Sequence, residues 1–134
     1  MLRDCTLPAL HLTGTHLPKL DADRLQCNGP LHLRAGFQAT GLVDLSGAEI
    51  TGQLDCDGGK FLAQGMALDC SAIKVGASVF LSEGFEAQGE VNLVGAKIDG
   101  QLACDGGKFL AEGIALECNA ISVGAGVFLR NGFT

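Results

Sequence analysis

From Phe37 onward every twenty-fourth position is phenylalanine (Phe37, Phe61, Phe85, Phe109 and Phe133), and Gly41, Gly65, Gly89 and Gly113 keep the same interval. The longest copies are two units apart: Gly-Gln-Leu-Asp-Cys-Asp-Gly-Gly-Lys-Phe at 52 to 61 returns as Gly-Gln-Leu-Ala-Cys-Asp-Gly-Gly-Lys-Phe at 100 to 109. A unit this short cannot close a hydrophobic core by itself, so the repeats must bury one another by stacking.

Within each unit the apolar residues fall in pairs separated by one residue, the period of a strand with one buried face. One unit gives Val43/Leu45, Ala48/Ile50 and Leu54/Cys56, followed by Phe61. The next gives Leu68/Cys70, Ile73/Val75, Val79/Leu81 and Phe85, and the register returns in the two units after it. A helix is excluded, because glycines recur inside every unit at about 1 kcal/mol each relative to alanine and no helical stripe outlasts one turn. The pattern predicts an all-β parallel β-helix of about five coils, each adding about 4.8 Å along the axis. The expected coils are residues 20–40, 41–64, 65–88, 89–112 and 113–134. Residues 1–19, with Leu10/Leu12 and Thr15/Leu17, form a degenerate starting half-coil.

Fifteen acidic residues against nine basic ones give a net charge of −6, which argues against a protein that tracks nucleic-acid phosphates directly. No stretch has the length of a signal peptide or a membrane span, so a soluble cytoplasmic chain is the expectation. In that setting the cysteines are expected to be free thiols in the apolar columns. Cys56 and Cys104, like Cys70 and Cys118, share a column but lie two coils apart, roughly 9.6 Å and beyond disulfide reach. No Cys-x-x-Cys is present, no metal or cofactor is expected, and Cys5 has no place in the register.

The segments Leu45-Ser-Gly-Ala-Glu-Ile50 and Leu93-Val-Gly-Ala-Lys-Ile98 resemble pentapeptide-repeat proteins. That resemblance implies a right-handed, four-sided β-helix and a bacterial source. The steps here run five, six and five residues, with a longer gap between Phe61 and Leu68. The Gly-Gln-Leu-x-Cys-x-Gly-Gly pattern is similar to long bacterial repeat proteins sometimes labelled membrane-associated oxidoreductases, though no residue pattern here supports either half of that label.

With the pairs facing inward, Phe37, Phe61, Phe85, Phe109 and Phe133 form a core ladder on one corner. The intervening residues form external columns. The first side carries Asp21, Asp44, Asp69, Asn92 and Glu117, an acidic ladder that is either a solvated face, a calcium-bridging row or a mimic of a phosphate backbone. The resemblance implies that such a mimic would bind a type II topoisomerase. The second side carries Gln26, Glu49, Lys74, Lys97 and Ser122, a mixed surface. The third carries His32, Asp55, Phe80, Ala103 and Phe128, where two large aromatics point outward, as expected of a covered contact face.

The Asp-Gly-Gly-Lys segments lack the spacing and the following helix of a phosphate loop and are expected to be corner turns. His11, His16 and His32 have no nucleophile or carboxylate at catalytic spacing, and a sugar-cleaving enzyme would need a distinctive carboxylate cluster rather than a ladder. The chain stops just after the phenylalanine of its coil, so an open coil end covered by further repeats or by another chain is a second expected contact. The expectation is a non-enzymatic scaffold or interaction module that self-associates, with the acidic DNA mimic as the alternative.

Overall fold

Two-residue strands form where an inward apolar side chain sits beside an outward one, and tight turns bend the chain between them. The computed structural model describes residues 3–111 and 114–128, and among these there is no helix. The first side holds Leu20–Asp21, Val43–Asp44, Met66–Asp69, Glu90–Asn92 and Leu116–Glu117. The second holds Thr6–Leu7, Gln26–Cys27, Glu49–Ile50, Lys74–Val75, Lys97–Ile98 and Ser122–Val123. The third holds Leu10–His11, Leu31–His32, Leu54–Asp55, Val79–Phe80, Leu102–Ala103 and Val127–Phe128. A fourth side, in line with the four-sided expectation and built at the corner where the phenylalanine ladder was expected, holds His16–Leu17, Gln38–Ala39, Lys60–Phe61, Glu86–Ala87 and Lys108–Phe109. Every strand pairs in parallel with its counterpart one coil away, giving a four-sheet β-solenoid of about five turns.

The segment expected to be a half-coil supplies strands to the second, third and fourth sides, and Leu20–Asp21 completes that turn. It is a tighter coil: Thr6 pairs with Gln26 and Leu10 with Leu31, steps of twenty and twenty-one positions. This shortening hides Cys5 from the longer frame of the later coils. Cys5 precedes Thr6 as Leu25 precedes Gln26, and it packs half-buried against the core.

Beyond the first turn the coils are not equal. On the third side Leu31 pairs with Leu54, Leu54 with Val79, Val79 with Leu102 and Leu102 with Val127, so the steps alternate between twenty-three and twenty-five positions. The difference lies in the corners flanking the fourth side. From Leu54 to Lys60 the chain takes six residues and from Phe61 it needs a long corner to reach Leu68, whereas Val79 to Glu86 takes seven and Ala87 runs quickly into Val91. The structural repeat is therefore a pair of coils, one short and one long, matching the long sequence copies.

This alternation explains the phenylalanine stack. Lys60 pairs with Gln38 and Glu86, so Phe61 lies beside Ala39 and Ala87, while Gly59 lies between Phe37 and Phe85. Phenylalanine and a small residue thus alternate in two adjacent columns, and each benzyl group fills the space its smaller neighbours leave. The rings form one continuous pile, with centroids 5.4, 5.2 and 5.3 Å apart and planes tilted by 43°, 38° and 41°. A simple in-register ladder would press rings to the strand spacing of about 4.8 Å; alternation relieves that crowding. Phe37, Phe61 and Phe85 are fully buried and Phe109 nearly so, whereas Phe133 lies outside the described residues. Around the pile, Leu31, Leu54, Ile73, Leu81 and Leu93 complete a continuous core.

Candidate functional site

The first-side acidic column is a row of turn caps as well as a row of charges. Asp21 pairs with Asp44, Asp44 with Asp69, Asp69 with Asn92, and Asn92 with Glu117, so the expected ladder is assembled in register. The Ser46 amide and hydroxyl donate to Asp44 Oδ1 at 2.9 and 2.6 Å, and the Ser71 amide and hydroxyl donate to Asp69 Oδ1 at 3.0 and 2.7 Å. Asn92 Oδ1 accepts from the Val94 amide at 2.9 Å, which shows that the cap needs a short side-chain oxygen and not a charge. Asp44 and Asp69 thus each fix the turn that carries the chain onto the second side.

The third-side column is likewise in register: His11, His32, Asp55, Phe80, Ala103 and Phe128 succeed one another coil by coil. The sequence reading placed this column outward, and its members prove unequally covered. Asp55 and Ala103 are buried, at 4% and 7% exposure, while His32, Phe80 and Phe128 are half-buried. The cover over Asp55 comes from a residue two positions beyond its own column. Arg34 Nη1 donates to Asp55 Oδ2 at 3.1 Å, and His32 Nδ1 lies 3.8 Å from the same oxygen. Asp55 Oδ1 accepts from the Asp57 amide at 3.0 Å, and the His11 and His32 rings stack at 4.7 Å with planes 12° apart. The result is a connected edge of histidines, arginine and carboxylates beside an apolar stretch.

Asp57 extends this edge by accepting the Ser82 amide on Oδ1 at 2.7 Å. Burial pushes its carboxyl above the ordinary value of 3.8, and the Ser82 bond opposes that rise. A carboxyl whose folded-state value is raised favours folding while protonated, and that contribution is lost as pH climbs above about the ordinary value. Asp57→Asn keeps the oxygen that accepts from Ser82 but does not ionise. Its stability relative to the parent is expected to improve between pH 3.5 and pH 7 in urea unfolding; a relative loss over that interval would contradict the burial argument.

Cys27, Cys56, Cys70 and Cys104 are buried free thiols. Burial raises the Cys56 and Cys70 thiols strongly and lifts Cys104 to about 12, so these groups are apolar fillers with little thiolate character. Among the described residues no group of three or more His, Cys, Asp or Glu side chains is placed to hold a metal ion, and no helix is long and apolar enough to cross a membrane.

The most exposed large apolar residues with outward positions were missed from sequence. Leu110 and Ile114 are 47% and 56% exposed, flanking the long corner between the fourth and first sides. The signal was the pair Leu62-Ala-Gln-Gly-Met66 and Leu110-Ala-Glu-Gly-Ile114, whose apolar ends fall outside the inward pairs. No protein-family model, curated protein or solved structure matches the chain.

Proposed function

We propose that the protein is a non-catalytic β-solenoid scaffold, a protein-interaction module that self-associates through its third side. The observation that carries this reading is the outward column Phe80, Ala103 and Phe128, which sets two aromatic residues two coils apart on one sheet with only an alanine between them. A surface of that kind favours a flat partner with the same spacing, and a second copy has it. The rigid stack supplies a fixed platform, and the Arg34–Asp55–His32 edge supplies polar rim contacts. A cytoplasmic setting accords with the buried free thiols.

Sedimentation equilibrium tests the reading. The parent is expected to be an oligomer, and Phe80→Ser with Phe128→Ser is expected to yield a folded monomer. A monomeric parent, or a doubly substituted chain that sediments unchanged, would refute it.

The alternative of an acidic mimic that binds a DNA-handling enzyme draws on the unbroken column Asp21, Asp44 and Asp69. It is the weaker reading, because one oxygen of Asp44 and of Asp69 is committed to a turn.

A further inference from the structure

Among the described residues the second side alone pairs two lysines directly. On the fourth side the outward column alternates in sign, Lys60 then Glu86 then Lys108, and Lys60 Nζ lies 3.7 Å from Glu86 Oε1. On the second side Lys74 pairs directly with Lys97, so two ammonium groups start from strands about 4.8 Å apart. Like charges directly opposite each other in a ladder are destabilising. Neither lysine has an ion-pair partner within 4.0 Å among the described residues, whereas Arg3, Lys19, Arg24, Arg34 and Lys60 each have one.

The two lysines border an open groove of about 260 Å³, lined also by Glu49, Thr51, Gly76 and Asp99. Gly76 in its wall lets the coils stack closely: a Cβ there would lie 2.5 Å from the Thr51 carbonyl oxygen, a contact that backbone cannot relieve cheaply. The Gly76 amide is already committed to the Ile50 carbonyl at 2.7 Å. Two lysine ammonium groups and the Thr51 hydroxyl therefore supply the donors around the groove.

We propose that this groove binds a single phosphate group, held between Lys74 and Lys97 with Thr51 as a further donor. A compact dianion removes the lysine–lysine repulsion and suits point-charge donors on flexible stems. Glu49, which pairs with Lys74 on the preceding coil, and Asp99, two residues beyond Lys97, bound the site with negative charge. They exclude a polyanion running along the column and restrict the site to one phosphate. The site is independent of the third-side contact face.

The test is a titration of the intact protein with inorganic phosphate, against sodium chloride at matched ionic strength, followed by amide chemical shifts. Saturable shifts confined to residues 49–51, 74–76 and 97–99 are expected. Lys74→Gln and Lys97→Gln should each weaken binding about tenfold, roughly the loss of one charge-assisted hydrogen bond, and together abolish it. O-phosphoserine in place of inorganic phosphate distinguishes the source. Shifts at the same residues indicate a phosphate presented by a partner, and shifts with inorganic phosphate alone indicate the free ion; either supports the site. Absence of saturable shifts, shifts spread over all lysines, or unchanged binding by the double variant with an unaltered spectrum would overturn it.

Discussion

Phe61→Ala is expected to destabilise the protein by about 3–5 kcal/mol, the range for removing a fully buried aromatic side chain. Phe61 has no solvent exposure and contacts rings on both sides, at 5.4 Å from Phe37 and 5.2 Å from Phe85. Its neighbours cannot collapse into the vacated space. The residues paired with it on adjacent coils are Ala39 and Ala87, whose methyl groups are too small to fill a ring-sized cavity, and the strands on either side are tied into sheets. Phe61→Leu should recover part of the loss. Urea unfolding followed by circular dichroism measures both, and a loss below about 1 kcal/mol for the alanine variant would mean that the pile is not closely packed.

Gly59→Ala is expected to cost about 3 kcal/mol, at the upper end for overpacking, although it adds only one methyl group. That methyl would lie 2.5 Å from the Leu33 carbonyl oxygen and 3.0 Å from Phe61 Cε1. The carbonyl belongs to the neighbouring coil's backbone, and the ring is confined by the phenylalanines above and below it, so neither yields readily. Gly65→Ala is the control. Nothing lies within 4 Å of its added Cβ, and its backbone does not fall in the left-handed region. Gly65→Ala should therefore be neutral or slightly stabilising, through reduced freedom of the unfolded chain. Equal losses at the two positions would show that the cost comes from glycine's general flexibility and not from the alternation of large and small residues at the fourth side.

The period, the inward pairs and the outward columns were all legible in the residues, because period-2 burial leaves a mark at every strand. The coil lengths were not. Evenly spaced phenylalanines conceal an alternation of shorter and longer coils, since Phe37 and Phe85 precede their strands while Phe61 and Phe109 lie within theirs. The averaged spacing remained even because the rings, and not the backbone, have to meet.

On the surface, sequence placed His32, Asp55, Phe80, Ala103 and Phe128 in one column but could not show that Asp55 and Ala103 are covered. That cover depends on how far Arg34 and neighbouring side chains reach across coils, which a column read from spacing does not contain. The lysine pair was visible as Lys74 and Lys97. Its groove was not, because its walls come from three successive coils, a shape that spacing along the chain does not contain.

Cross-coil contacts between backbone protons, measured by nuclear Overhauser spectroscopy, test the stacking of unequal coils most directly. The third side should connect His32 to Asp55, Asp55 to Phe80, Phe80 to Ala103 and Ala103 to Phe128, a short step and a long step in turn, with ring contacts between Phe61 and both Phe37 and Phe85. Contacts at one uniform separation along that side, such as His32 to Cys56 and Cys56 to Phe80, or contacts confined to neighbours in sequence, would contradict it.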